Sequence, residues 1–242
     1  MNWHTRYTQQ ANWTRALRSY IFEKTDITHA QRVLEVGCGT GAILSTLPAG
    51  PAIYGLDIDR EALIECKFHA PRALPVQGNA LSLPYPDRSF DIVYCHFLLL
   101  WVGDPLKALR EMKRVTGQNG YVIAFAEPDY LQRIDQPAEL VPLGKWQSES
   151  LRRQGADPGL GAHLAELFFE AGIRITETGT IQSSGTEPSL DEWEVEWEVI
   201  DSDLQGRIPE QELQRMKAMD KSAREHGQRR LYVPTYFAWG EA

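Results

Sequence analysis

A chain of 242 residues, 43% hydrophobic and 24% charged, lies in the ordinary globular range and can bury one substantial core with appended pieces. Its formal net charge of −8 argues against a nonspecific grip on phosphate backbones, so nucleic acid is not an expected partner. Cys38, Cys66 and Cys95 form neither a closely spaced metal motif nor an even-numbered disulfide framework, and neither a signal peptide nor a bilayer-spanning run is found; the expectation is a cytoplasmic chain without metal or membrane.

Residues 1–29 lack Pro and Gly, and Trp13, Leu17 and Ile21 recur at the four-residue spacing of a helical apolar face, which predicts an N-terminal helical cap segment. From Arg32 onward, short apolar runs bounded by turn residues alternate with helix-like segments. The predicted strands are Arg32–Val36, Ala52–Leu56, Ala73–Gln77, Phe90–Cys95 and Tyr121–Ala126. Helices are predicted near Ala42–Leu47, at Arg60–His69 with Asp59 as its start, and at Pro105–Val115. Asp104 followed by Pro105 has N-cap and first-turn chemistry, and Leu106, Leu109, Met112 and Val115 supply an inward stripe. Gly117–Gly120 reads as a turn.

Beyond Ala126 a loop-rich stretch with Pro128, Pro137, Pro142 and Pro158 leads to a predicted helix at Ala162–Ala171 and a strand at Ile173–Thr180. Helices at Leu190–Leu204 and Pro209–His226 read as a lid, although Asp191–Glu198 alternates acids with tryptophans and would not separate them cleanly on a helix. A last strand at Leu231–Ala238 completes a doubly wound α/β fold, a mostly parallel seven-stranded sheet with a helical cap. The implied organisation is a cap segment 1–29, a core 30–182, a cap insertion 183–228 and a final core strand 229–242.

Val33-Leu34-Glu35-Val36-Gly37-Cys38-Gly39-Thr40-Gly41 runs from a buried strand into a glycine turn, where missing Cβ atoms let the backbone approach a ligand. Gly37, Gly39 and Ala42 also satisfy the dinucleotide pattern, with Asp57 placed for a ribose in either case. Glu35 separates the readings. A carboxylate inside an apolar strand wants a cation, such as the ammonium of a methionine moiety, and would repel a pyrophosphate; alternatively it pairs with an internal Lys or Arg.

Further on, Gly78-Asn79-Ala80 precedes Leu83-Pro84-Tyr85-Pro86-Asp87-Arg88-Ser89-Phe90-Asp91-Ile92-Val93. With the glycine loop and Asp57, residues 32–127 closely resemble class I S-adenosylmethionine-dependent methyltransferases, in particular the type 11-like branch of the ubiquinone and menaquinone biosynthesis enzymes. The resemblance implies a Rossmann-like fold with S-adenosylmethionine as cofactor, S-adenosylhomocysteine as product, and methyl transfer to a small organic acceptor by in-line displacement. It implies that Gly37, Gly39 and Gly41 pass beneath the methionine end and that Asp57 accepts from both ribose hydroxyls. Ile58 would pack on the adenine, Asn79, where the family more often has Asp, would meet its exocyclic amine, and the Ala80 amide a ring nitrogen. Cys95 would line the methionine, and His96 is the candidate catalytic base.

Each has a blander alternative: Asp57 as a strand-end cap, Cys95 as a small core residue, His96 as structural. Glu127 or Asp129 are alternative proton acceptors. Arg6, Tyr7 and Trp13 either close over the cofactor or serve the core, and Trp146, Trp193, Trp197 and Tyr236 either line an acceptor pocket or pack the cap. Two other functions stay open, a noncatalytic S-adenosylmethionine-binding module and an NAD-dependent oxidoreductase. Neither the acceptor nor the oligomeric state is written in the sequence.

Overall fold

A computed structural model of the chain describes residues 2–181 and 189–242. Two helices, α1 (Trp3–Trp13) and α2 (Arg15–Lys24), precede β1 (Arg32–Val36), β2 (Ala52–Asp57), α3 (Arg60–His69), β3 (Ala73–Gln77), β4 (Phe90–Cys95), α4 (Pro105–Val115) and β5 (Thr116–Pro128). There follow β6 (Ile134–Gln136), α5 (Val141–Arg153), α6 (Leu164–Glu170), β7 (Arg174–Thr180), α7 (Leu190–Leu204), α8 (Glu210–Glu225), β8 (Arg230–Tyr232) and β9 (Thr235–Glu241).

The main sheet has the order β3-β2-β1-β4-β5-β9-β7, with β1 to β5 parallel and β9 antiparallel to both its neighbours. Val33, Leu34 and Val36 of β1 are all fully buried, as a strand covered on both faces requires. Winding proceeds outward from β1 to β3, then restarts at β4 and goes the other way. The carboxyl ends of β1 and β4 therefore flank the crevice where ligands settle in such sheets.

Local chemistry explains the element starts. Asp59 Oδ1 accepts from the Glu61 and Ala62 amides, and Asp104 Oδ1 accepts from the Lys107 amide at 2.9 Å, which satisfies orphan N–H groups of α3 and α4. The α4 stripe buries Leu109, Met112 and Val115 completely, with Leu106 half-buried at its edge.

Five expectations need correction. The predicted helix at Ala42–Leu47 is only a 3-10 turn over Leu44–Thr46. Ser45 and Thr46 turn their hydroxyls onto the Ala42 and Ile43 carbonyls, at 3.0 and 2.7 Å, and Pro48 follows. The N-terminal helix is broken at Thr14, whose Oγ1 donates to the Ala11 carbonyl, so the Trp13-Leu17-Ile21 spacing runs across two helices and leaves Trp13 largely exposed. The proline-bearing stretch contains α5, because Pro142 sits in its first turn, where a missing N–H costs nothing. The predicted strand Leu231–Ala238 is interrupted at Val233–Pro234; its first part pairs with β6 in a separate small sheet and its second enters the main sheet as β9. Finally, β5 extends back through Gly117–Gly120, with Asn119 in the left-handed region at φ +67°.

In α7 the steps from Trp193 to Trp197, Ile200 and Leu204 return to one buried face while Glu194 and Glu198 stay exposed, so the alternation does separate on a helix. These residues join Leu140 and Leu143 and Leu213 and Met216 in a core of their own, apart from the two cores that flank the sheet. The predicted insertion begins at 183, and its residues 183–188 lie outside the described residues.

Candidate functional site: a two-chambered cleft

The turn after β1 is held by its own backbone, with the Gly37 and Cys38 amides donating to the Leu56 carbonyl at 2.7 and 3.0 Å. Gly39 has φ +49°, and a Cβ there would stand 3.0 Å from Tyr7 Cε2, so a side chain would meet both backbone strain and the ring of α1. Its amide donates to Asp57 Oδ2 at 2.7 Å, while the Asp59 amide donates to Oδ1 at 2.9 Å. A carboxylate offers about four acceptor positions, so Asp57 ties down the loop and keeps capacity for a ligand.

Above the turn lies a chamber of about 390 Å³ whose walls include Glu35, Gly37, Gly39, Asp57 and His96, with Tyr7 and Trp3 of α1 at its rim. Glu35 is 3% exposed. Burial pushes its carboxyl well above the usual range, and the Tyr94 hydroxyl, which donates to Oε2 at 3.1 Å, and the Arg18 guanidinium pull it back only in part. No ion pair closes on Glu35 among the described residues; Arg18 instead spends its donors on Thr14, Thr46 and the Ala11 carbonyl. Burial thus disfavours the charge on Glu35, and a cation in the chamber would favour it.

His96 follows β4, and its Nε2 lies 2.9 Å from Thr14 Oγ1. Burial, reinforced by Arg18, pushes its pKa down to about 3, so the ring is neutral at pH 7 and a weak base. Phe97, next in the chain, has φ +52°, a strained backbone for a bulky residue of the sort that persists at working sites.

The alternative acids are committed elsewhere. Glu127 is completely buried and accepts the amides of Leu98, Leu99 and Leu100, which fixes the segment after β4; burial nevertheless lifts its pKa to about 7. Asp129 caps the turn that follows by accepting from the Leu131 and Gln132 amides. Five other expected site residues are outside the chamber walls. Gly41 faces Cys66 of α3 and Ala70 just after it, Ile58 is 67% exposed beside Asp57, and Asn79 Oδ1 accepts from the Leu81 amide. Ala80 packs against the main core, and Cys95 is wholly buried within it.

A second chamber, of about 400 Å³, adjoins the first; Arg6, Phe97 and Tyr130 line both. Trp13, Trp193 and Trp197 contribute to its walls, whereas Trp146 and Tyr236 pack against cores and are not in either lining. Arg6 and Tyr7 thus reach the cleft as one of the two sequence readings allowed. Phe97 and Tyr130 were not foreseeable: nothing in their local sequence marks them, and only the long-range packing of the cap brings them together.

The cap side is held by buried charge. Asp220 accepts from the indole N–H groups of Trp193 and Trp197 and from Arg229, and Arg229 also donates to Asp135, at 2.8 Å, which Arg133 grips at 2.7 Å. Two cations and two anions thus neutralise one another away from water.

A methyltransferase-domain family profile matches residues 34–124. The demethylmenaquinone methyltransferase of Geobacillus kaustophilus is 35% identical over 184 residues, covering 64% of this chain and 76% of that enzyme. An uncharacterized methyltransferase of Schizosaccharomyces pombe is 32% identical over 171 residues, 62% of this chain but only 57% of the relative. Among solved structures, an Anabaena variabilis protein assigned as a methyltransferase of an antibiotic biosynthesis pathway superposes with a TM-score of 0.66 at 16% identity, covering 94% of this chain and 97% of that one, a likeness of fold alone.

Proposed function

The chain belongs to the class I S-adenosylmethionine-dependent methyltransferases, and from that premise we propose that the first chamber holds S-adenosylmethionine while the second holds a small organic molecule that receives its methyl group. The observation that carries this reading is the junction: a chamber built from the glycine turn, Glu35 and Asp57 shares Arg6, Phe97 and Tyr130 with another lined by tryptophans.

The residues fit such a cofactor. Glu35, buried without an ion pair, would meet the ammonium of the methionine end, and Asp57 has acceptor capacity left for ribose hydroxyls. Ile58, exposed beside Asp57, would cover the adenine, with Asn79 and the Ala80 amide at its polar edge. Gly37 and Gly39 line the chamber beneath it, where a Cβ would press on Leu98 and Tyr7, while Gly41 and Cys95 act from behind, one letting α3 approach the turn and the other filling the core under β4. S-adenosylmethionine, when bound, supplies a methyl group activated by a positive sulfur and leaves as S-adenosylhomocysteine.

What the protein adds is orientation and dryness. Tyr7 and Trp3 close the mouth, Glu127 fixes the Leu98–Leu100 segment, and His96 serves as a neutral hydrogen-bonding group, since a ring titrating near 3 takes protons poorly at pH 7. The dinucleotide alternative lacks the helix that should follow the glycine turn, because three residues of 3-10 geometry do not make a helix N-terminus for a pyrophosphate. None of the helices among the described residues is long and apolar enough to cross a membrane, and a cytoplasmic enzyme is the reading we adopt.

The test is turnover: methyl-labelled S-adenosylmethionine is incubated with the protein and a panel of small aromatic acceptors, and labelled product and S-adenosylhomocysteine are quantified. Both should appear in equal amounts. Cofactor binding with no transfer to any class of acceptor would support the noncatalytic module instead.

A further inference from the structure

The junction between the chambers has a charge pattern that specifies the acceptor further, an inference that rests on the methyltransferase reading above. Five arginines and three acids line the second chamber. The acids are all engaged: Glu196 by Arg6 at 2.6 Å, Glu192 by the Ser189 amide at 2.7 Å, and Asp220 by Arg229 and two indoles. Cations therefore outnumber acids in this lining, which favours an anionic acceptor over a cationic one.

Donors, by contrast, remain. Arg6 is 6% exposed and uses only Nη1, for Gln9 and Glu196; Nε and Nη2 have no partner among the described residues, and the guanidinium rests 5.0 Å from the centre of the Trp13 ring. The Tyr130 hydroxyl likewise has no hydrogen-bond partner among the described residues, although burial raises its pKa and keeps it a donor. Both residues line both chambers. The sites where a base would be sought are unpromising: His96 is a weak base, Glu127 is closed off behind three amides, and Glu35 lines the first chamber and not the second.

We propose that the acceptor is a flat apolar molecule whose methyl-accepting oxygen arrives already ionised, as a carboxylate, and that Arg6 and Tyr130 hold this oxyanion at the junction. The step then balances without a base. An oxygen lone pair forms the new O–C bond, the sulfonium C–S bond breaks with its electron pair going to sulfur, and no proton is released. A guanidinium and a phenol are the donors suited to such an oxygen, and the tryptophan walls suit its frame.

The test uses binding, so it is independent of turnover. Protein saturated with S-adenosylhomocysteine is titrated calorimetrically with 2-naphthoate, 1-hydroxynaphthalene-2-carboxylate, the neutral 2-naphthamide and the cationic 2-naphthylmethylamine. One of the two anions should bind at least about tenfold tighter than the amide; which of them does so separates a simple carboxylate from an acid with a neighbouring phenol. Arg6→Gln should abolish the preference and Tyr130→Phe reduce it severalfold, each variant being titrated at its own saturating concentration of S-adenosylhomocysteine. Because Arg6 also bridges to α7, Glu196→Gln is the control for a cap that merely loosens: freeing Arg6 should tighten the anion. Equal or better binding of the amide or amine, no binding of either anion, or weaker anion binding in Glu196→Gln overturns the inference. Failure of S-adenosylhomocysteine itself to bind overturns the methyltransferase reading instead.

Discussion

The cofactor half and the cap are built by different means. Around the first chamber, contacts are made largely by backbone: Asp59 caps α3, the Gly39 amide leans on Asp57, and β1 and β4 end side by side through regular parallel pairing. The cap is instead tied by buried side-chain charges between distant segments, Arg6 to Glu196 across 190 positions and Arg229 to Asp135 across 94. A site made from backbone geometry tolerates changes to its neighbours, whereas a cap whose core depends on four mutually neutralising charges fails when one is lost.

The sharpest way to break this contrast is Asp220→Ala. It strips Arg229 of one carboxylate and leaves two buried indole N–H groups without an acceptor, so unfolding free energy should fall by about 3–5 kcal/mol. Urea denaturation followed by tryptophan fluorescence measures it; a loss under 1 kcal/mol would mean that the network adds little.

At the seam between the halves, Glu127→Gln replaces a carboxylate that accepts three amides with a group offering one carbonyl oxygen and an unwanted donor. About 2 kcal/mol should be lost, read in the same denaturation experiment. On the cofactor side, Gly39→Ala places a Cβ at φ +49° and against Tyr7. It should cost about 1–2 kcal/mol, and cofactor affinity should fall more than the cap is disturbed, which calorimetry and near-ultraviolet circular dichroism together resolve.

The order of these effects follows what sequence could and could not disclose. The caps Asp59 and Asp104 were legible because each is set by residues within a few positions of one another, and the glycine turn because its residue types mark it even though its partners Leu56 and Asp57 lie on the next strand. The helix expected at Ala42–Leu47 failed on equally local grounds, the Ser45 and Thr46 hydroxyls competing for backbone carbonyls, a competition that residue type permits but does not decide. Pro142 was mistaken for loop punctuation because the same residue breaks a helix interior and suits a helix start. Tyr130 and Phe97 were invisible for another reason: their place at the junction depends on segments far apart in the chain.

The remaining effect is a pH dependence with two opposed limbs. His96 has its pKa lowered from 6.5 to about 3, so its contribution to stability is full above pH 6.5 and is lost as pH falls toward 3; one unit below 6.5 the loss is about 1.4 kcal/mol. Glu127, raised from 4.5 to about 7, contributes fully below pH 4.5 and loses that contribution as pH rises through 7. Denaturation at a series of pH values should show His96→Gln flattening the acid limb and Glu127→Gln the neutral one. Unchanged slopes in both variants would place the titration elsewhere.

The measurement that reaches the centre of the account is a calorimetric titration with S-adenosylmethionine and, separately, NAD, run on the wild type and on Asp57→Ala. S-adenosylmethionine should bind and NAD should not, with the substitution weakening affinity about tenfold or more, since it removes the tether on the Gly39 amide together with the proposed ribose acceptor. Binding of NAD in preference, or an Asp57→Ala protein that holds S-adenosylmethionine as tightly as the wild type, would contradict the assignment of the first chamber.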